Sequence, residues 1–215
     1  MIETATGLIL RTRPLTETSL IVCWLTPGLG RLSTVAKGAR RPRSPFRGKL
    51  DLFYLADFSF NRSRRSDLHI LQEVNLRETH AGFRRDLAQL QQAAYAATLI
   101  EQVTETETPL LEVFDLLNGF LGALVGQPAR PQAVLAFELK LLEELGLQPD
   151  LEQARLTPAA KSLAQEFAAE DWPALGRLES SPALVGELDR FLRVFIAHHL
   201  GRVPKGREGA LGKYG

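Results

Sequence analysis

Short runs of apolar and strand-forming residues occupy the first part of the chain. Residues 6–12, 19–26 and 31–37 form three such runs, and the sequence Pro27-Gly28-Leu29-Gly30 predicts a hairpin turn between the last two. Alternation is clearest over 50–60, where one face carries Leu50, Leu52, Tyr54, Ala56, Phe58 and Phe60. A fifth strand is marked by Leu68, Ile70 and Val74. Five short strands joined by brief turns predict a small closed barrel of the OB type.

From residue 80 onward the apolar spacing becomes helical. One stripe consists of Leu110, Val113, Phe114, Leu117, Leu121 and Leu124. Helix starts are predicted at three Thr-Pro or Ser-Pro pairs, and a helix over 131–145 should end at Gly146. The pairs are Thr108-Pro109, Thr157-Pro158 and Ser181-Pro182. These helices should pack as a bundle.

The predicted fold class is therefore α+β, with the strands first and the helices after them. We expect a five-stranded OB-type barrel over 1–79 and a helical domain over 80–200. Residues 201–215 are rich in glycine and contain four basic side chains, so they predict a mobile basic tail.

Composition narrows the class of protein. The chain has 215 residues, of which 45% are hydrophobic and 24% charged, as in ordinary globular proteins. Its longest unbroken apolar run, 20–25, is far shorter than the roughly 20 residues that span a membrane. The first residues lack the pattern of a signal peptide, and Cys23 is the single cysteine. These features predict a cytoplasmic protein without a membrane partner.

The net charge of +1 conceals an uneven distribution. Residues 1–80 hold 13 Lys and Arg against 7 Asp and Glu, whereas residues 81–200 hold 9 against 17. A basic first part and an acidic middle part indicate two units with different partners.

The densest basic segment spans residues 31–49 and contains no acidic residue. Its cations are Arg31, Lys37, Arg40, Arg41, Arg43, Arg47 and Lys49. Pro42 and Pro45 oppose helix and regular strand, so we expect an exposed loop. A solubilising loop would usually mix charges of both signs, and the segment therefore favours binding of a polyanion through its phosphates. A second basic cluster, in the turn before the fifth strand, consists of Arg62, Arg64 and Arg65.

Aromatic side chains near these cations are candidates for stacking on bases. They are Phe46, Phe53 and Tyr54, although the position of Tyr54 in the alternating stripe favours core packing.

The sequence shows no arrangement of residues typical of a catalytic site. Cys23 lies beside Trp24 in an apolar run, which predicts an inert core thiol, and the four histidines, at 69, 80, 198 and 199, suit structural or solvent roles. The acidic pair Asp51 and Asp57 would lie about 20 Å apart along one strand, too far for two-metal chemistry. We predict no enzyme activity.

Four segments together resemble the RecO family of bacterial DNA repair and recombination proteins. They occur in the family's order along nearly the whole chain. The segments are Gly7-Leu8-Ile9-Leu10-Arg11-Thr12-Arg13-Pro14 with Glu17, Thr26-Pro27 through Gly30-Arg31-Leu32 to Ala36-Lys37-Gly38-Ala39-Arg40-Arg41, Phe137-Glu138-Leu139-Lys140-Leu141-Leu142 with Leu145-Gly146, and His199-Leu200-Gly201-Arg202.

This resemblance implies an N-terminal OB-fold and a C-terminal helical domain. Such proteins bind single- and double-stranded DNA, anneal complementary strands and, with RecR, help load RecA onto DNA coated by single-strand binding protein. The basic loop lies where the family's DNA-binding surface is expected. The acidic tail of single-strand binding protein docks on the family's helical domain, where Arg130 and Lys140 are the candidates here. Nucleoid association is implied as well.

The sequence departs from the family pattern in two places, the zinc module and the C-terminal tail. Many relatives carry a four-cysteine zinc module after the Leu-Gly that matches Leu145-Gly146, but residues 148–160 contain no cysteine, so we expect no metal and no cofactor. The tail continues as Val203-Pro204-Lys205-Gly206 where relatives usually carry a serine. Two other readings of the basic loop stay open: an OB-type module for RNA or the ribosome, and a scaffold whose helical part carries the function.

Overall fold

The computed structural model describes residues 2–125 and 127–212. Its first part is a five-stranded sheet with the order β1-β2-β3-β5-β4 that closes into a barrel. The strands are β1 (Ile2–Pro14), β2 (Leu20–Thr26), β3 (Gly30–Ala36), β4 (Leu55–Asn61) and β5 (Leu68–Glu78). Neighbouring strands are antiparallel except β3 and β5, which run parallel. The predicted OB-type barrel followed by helices is confirmed.

The barrel interior is filled by the alternating residues of its strands. Trp24 and Phe58 are stacked with ring centroids 4.0 Å apart. The Trp24 indole N–H donates to Thr34 Oγ1 at 2.8 Å, so the one polar atom of this large ring is paired inside the core. Other fully or nearly fully buried members are Ile9, Val22, Leu32, Ala56, Phe60, Leu71 and Val74.

Strand β4 begins at Leu55, five residues later than the alternation predicts. Phe53 takes a left-handed conformation with φ of 64°, which ends the two-residue period. Its N–H donates to Ile9 O at 2.8 Å, and Ile9 N–H donates to Tyr54 O at 3.0 Å, beside an irregularity in the β1–β2 register. The prediction of a strand over 50–54 was therefore wrong, because these residues bend to fill the barrel core.

The helical part begins with a 3₁₀ turn, Ala81–Arg84. It continues with α1 (Leu87–Val103), α2 (Leu111–Leu124), α3 (Pro131–Glu144), α4 (Pro158–Ala169), α5 (Trp172–Arg177), α6 (Pro182–Leu200) and α7 (Arg207–Leu211). The caps at Thr157 and Ser181 are confirmed, since Thr157 Oγ1 accepts from Ala160 N–H at 3.3 Å and Ser181 Oγ from Leu184 N–H at 3.4 Å.

The described residues divide into two compact units, and the division does not follow the chain. One unit contains the barrel together with residues 104–115, and the other contains residues 81–103 and those after 115. Glu107 N–H donates to Arg31 O at 2.8 Å and Leu110 N–H to Pro27 O at 3.3 Å. A side chain on Gly30 would come within 1.8 Å of Thr108 O, so this glycine makes room for the segment. The helix α2 begins only at Leu111, so Thr108 lies too early to be its N-cap and that prediction was wrong.

The predicted mobile tail is instead built into the helical unit as far as residue 212. Arg207 is 3% exposed, and its guanidinium donates to Glu138 and Asp189. Gln92 Nε2 donates to Ala210 O at 3.0 Å, which fixes α7 to α1. Residues 213–215 lie outside the described residues. Within the described part of the chain, no helix is long and apolar enough to cross a membrane.

Candidate nucleic-acid interface

Consecutive turns give the basic loop a defined backbone. We call residues 37–49 the cationic loop. Backbone hydrogen bonds of 3.0–3.2 Å close turns at Gly38–Arg41, Arg41–Ser44, Ser44–Arg47 and Phe46–Lys49. Phe46, only 7% exposed, belongs to the barrel core and holds the middle of the loop against it. The loop is therefore a shaped surface, although it contains neither helix nor strand.

The cations of the loop point outward and lack acidic partners. The exposed ones are Lys37, Arg40, Arg41, Arg43 and Arg47. Among the described residues, Lys37, Arg40, Arg41 and Arg43 form no ion pair, and Arg47 makes only a 3.4 Å hydrogen bond to Pro42 O. Lys49 is half-buried, with Nζ 2.9 Å from Val74 O. Uncompensated like charges at this density are what a polyanion would neutralise.

Strand register extends this basic surface along β1. Pro14 pairs with Leu20, and Leu20 pairs with Ala36, so the loop leaves the barrel beside the end of β1. Arg40 N–H also donates to Thr18 O at 2.9 Å. Arg11 and Arg13 are exposed on β1, which puts two further cations near the loop. Their two-residue spacing on a strand was the signal that the sequence offered and that our site prediction omitted.

Two predicted contact residues are held by the protein itself. Arg31 is half-buried, with Nε 2.7 Å from Thr104 Oγ1 and a second hydrogen bond to Thr104 O, and its burial lowers its pKa. Arg62 makes a bidentate pair with Glu3 at 2.7 and 3.0 Å and contacts Glu107 at 2.9 Å. The hydrogen bond from Arg62 lowers the pKa of Glu3 and raises that of Arg62. Arg31 thus fastens Thr104 to β3, and Arg62 joins Glu3 of β1 to Glu107, so these two guanidinium groups are less open to a ligand than those of the cationic loop.

The other two members of the second basic cluster are accessible to a ligand. Arg64 and Arg65 are exposed in the turn between β4 and β5. The three stacking candidates are not available, because Phe46, Phe53 and Tyr54 are each at most 9% exposed. Stacking was wrong for Phe46 and Phe53, and core packing is confirmed for Tyr54.

Groups that could have served chemistry are engaged in structural contacts. His69 Nε2 lies 2.7 Å from Glu107 Oε1, and His80 Nδ1 lies 2.7 Å from Phe53 O. Asp57 accepts from Thr6 at 2.6 Å and Arg77 at 2.7 Å, and the Thr6 contact contributes most to lowering its pKa. Cys23 is half-buried, with Sγ 3.5 Å from Ser33 Oγ. The prediction that this thiol lies in the core was therefore wrong, because strand pairing puts Cys23 opposite the exposed Arg11.

In the helical unit, both candidate partner contacts lie beside the short helix α5. Lys140 Nζ donates to Ala168 O at 2.6 Å and lies 5.9 Å from the Trp172 ring, and burial lowers its pKa. Arg130 is exposed, and its Nη1 lies 3.3 Å from Gly176 O. A small cavity of about 30 Å³ is lined by Phe120, Trp172, Leu175 and Arg130. The structure thus brings an aromatic notch and two cations to one helix.

The structure is thus an OB-type barrel with an uncompensated cationic loop, followed by a helical unit. A basic surface of this kind is typical of the OB-fold proteins that bind nucleic acids. Comparisons with known proteins narrow the class. The family profile described as "Recombination protein O N terminal" matches residues 1–80, and its C-terminal counterpart matches residues 84–155. The chain belongs to the RecO family.

Relatives named "DNA repair protein RecO" support this membership. One from an Anaeromyxobacter species is 32% identical over 92% of this chain and 91% of its own length. One from Rhodopirellula baltica is 36% identical over 66% of this chain and 53% of that protein, and one from Anaeromyxobacter dehalogenans is 38% identical over 68% and 58%. The last two matches thus span just over half of those relatives.

Proposed function

We propose that this chain is a DNA repair and recombination mediator that binds single- and double-stranded DNA through its barrel and anneals complementary strands. The observation that carries the proposal is the set of exposed, unpaired cations on the ordered loop. The contact residues are Lys37, Arg40, Arg41, Arg43, Arg47, Arg64 and Arg65, with Arg13 added from β1. Membership of the RecO family supports the same assignment.

The physical basis of annealing is charge neutralisation. Two DNA strands repel each other through their phosphates, and a basic surface presented to both lowers that repulsion so that base pairing can proceed. Each neutralised phosphate releases condensed counterions, so binding should weaken steeply as salt rises. This function makes and breaks no covalent bond, and we accordingly propose a binding protein and not an enzyme.

Besides DNA, the proposed partners are RecR and the C-terminal tail of single-strand binding protein, at the nucleoid. For the acidic tail of single-strand binding protein we propose the region around α5. Arg130 and Lys140 supply positive charge there, and half-buried Trp172 supplies apolar surface. Together with RecR, the protein would then load RecA onto the strand that single-strand binding protein covers.

Charge reversal in the loop tests the proposal. Replacing Arg40, Arg41 and Arg43 by Glu should abolish binding of a labelled single strand, measured by fluorescence anisotropy, while thermal unfolding stays close to that of the wild type. The matched control replaces Arg85, Arg155 and Arg177, three exposed arginines of the helical unit, by Glu. Unchanged affinity in the loop variant at moderate salt, or equal loss in the control, would defeat the proposal.

Two further measurements separate the other readings of the loop. Competition between single-stranded DNA and RNA of equal length distinguishes a DNA mediator from an RNA module, since the latter should prefer RNA through its 2′-hydroxyls. A strand-annealing assay with and without single-strand binding protein distinguishes a mediator from a scaffold. Acceleration under both conditions supports the mediator.

A further inference from the structure

A second basic segment lies in the otherwise acidic helical unit. Between Arg190 and Arg207 the sequence contains five Arg and Lys residues, two histidines and no acidic residue. In the rest of the helical unit, which is 81–103, 116–189 and 208–215, 14 acidic residues stand against 8 Lys and Arg. A local excess of positive charge against that background needs a physical role, because like charges repel one another.

The α6 helix presents part of this segment to solvent. Its buried stripe consists of Val185, Leu188, Leu192 and Ile196. On the opposite side Val194 is 69% exposed, and its helical neighbours Arg190 and His198, one turn before and after it, are exposed too. Phe191, Phe195 and His199 form a ladder beside them, with ring centroids 6.0 and 4.1 Å apart along the series.

The chain after α6 is held in place by contacts at both ends. Gln102 Nε2 donates to Arg202 O at 3.0 Å. Pro204 is buried, and Arg207 donates to Glu138 at 2.7 and 2.8 Å. The side chains of Arg202, whose carbonyl is one of these fixed points, and of Lys205, between Pro204 and Arg207, are exposed. Their charges therefore stand on a defined backbone.

A concavity of about 280 Å³ lies where this segment meets α6. Its lining includes Arg193, Lys205, Gly206 and Glu208. Glu208 Oε1 lies 3.2 Å from Arg193 Nη1, but the Glu208 side chain is 82% exposed. An exposed pair of this kind contributes little, so an incoming anion can displace the carboxylate.

We propose that this concavity and the neighbouring face of α6 bind the phosphate backbone of a second nucleic-acid strand. The inference rests on the proposed function, because annealing requires two strands to be held by the protein. Arg193 and Lys205 contact phosphates at the concavity, and Arg190 and Arg202 extend the track. The rings of half-buried Phe191 and Phe195 and exposed His199 form a ladder beside Arg190, Val194 and His198, on the flank of α6 away from Arg193, where bases can stack. Aromatic rings next to Arg190 favour a single strand, whose bases can stack on them, over an acidic peptide.

The test measures a second strand on protein already saturated with a first, using noncomplementary labelled oligonucleotides and the full chain. In the variant Arg193→Glu/Lys205→Glu, affinity for the second strand should fall about tenfold or more while first-strand affinity stays unchanged. Losing two phosphate contacts should also reduce the salt slope of second-strand binding by about 1.4. Glu208→Gln should act in the opposite direction and tighten second-strand binding, which a merely structural role does not predict.

The matched control is Arg155→Glu/Arg177→Glu, which changes the charge of the helical unit equally through exposed residues. Second-strand binding that survives Arg193→Glu/Lys205→Glu, or falls equally in the control, overturns the inference. The inference is also overturned if Arg193→Glu/Lys205→Glu weakens binding of the acidic tail peptide of single-strand binding protein and leaves second-strand binding unchanged, since the surface then binds a protein. A separate result would contradict the proposed function: the first strand would still bind after Arg40, Arg41 and Arg43 are replaced by Glu.

Discussion

The cationic loop of the barrel and the buried Arg207 of the helical unit use the same kind of side chain in opposite ways. Arg40, Arg41 and Arg43 are exposed and form no ion pair among the described residues. Arg207 is 3% exposed and is bound by Glu138 and Asp189, with Tyr95 donating to the same Glu138. A guanidinium without a carboxylate is available to a ligand, whereas one enclosed by carboxylates holds the fold together.

Arg62 shows that the availability of an arginine depends on its ion-pair partners and not on its position in the chain. It belongs to the basic barrel, yet its guanidinium is paired with Glu3 and Glu107. Its partners are 59 and 45 residues away in sequence, so neither is visible in the local pattern.

The largest effect is expected from Arg207→Ala. Removing the guanidinium leaves Glu138 buried without its partner, which should lower the free energy of unfolding by about 3–5 kcal/mol while first-strand DNA affinity stays unchanged. Burial already raises the pKa of Glu138. In the variant, the folded state should bind the Glu138 proton more tightly than the unfolded state, so the loss of stability should grow as pH rises. Chemical denaturation at several pH values measures both effects.

The control for Arg207 removes both charges together. The double variant Glu138→Gln/Arg207→Met removes the fully buried charge and leaves only the part-exposed Asp189 without its partner, so it should regain much of the lost stability. If the double variant were as unstable as Arg207→Ala, or if it lost DNA binding, the structural role of Arg207 would not be distinct from the binding role of the cationic loop.

A somewhat smaller effect is expected from Phe46→Ala. This side chain is almost fully buried in the barrel core and holds the cationic loop, so its truncation should cost about 3 kcal/mol of stability. DNA affinity should fall as well, because the cations lose their fixed arrangement although none of them is removed. Phe46→Leu, which keeps an apolar contact, should retain more of both. Full affinity in Phe46→Ala at a temperature where the barrel stays folded would show that loop shape does not matter.

Much of the fold follows from patterns within single elements. The hairpin at Pro27–Gly30, the alternation of Ala56, Phe58 and Phe60, and the caps at Thr157 and Ser181 are local signals, and each is confirmed. The errors arose where distant residues decide the local conformation. Phe53 turns left-handed beside Ile9, and residues 104–110 run along the barrel where Thr108-Pro109 suggested a helix start.

The centre of the candidate site could be read from the sequence, whereas the residues at its edges could not. An acid-free run containing two prolines identified the cationic loop. Which cations are free depends on contacts across the fold: Arg31 is held by Thr104, 73 residues away, and Arg207 by Glu138, 69 residues away. Glycine-rich sequence suggested a mobile tail because nothing near Arg207 reveals its buried partners.

The salt dependence of single-strand DNA binding tests the central claim most directly. Replacing Arg40, Arg41 and Arg43 by Gln removes three charges without adding repulsion, and the slope of log affinity against log salt should shrink by about 2. Arg62→Gln, in which an already paired cation is lost, should keep the wild-type slope. An unchanged slope in the loop variant, or an equal reduction in Arg62→Gln, would contradict the account.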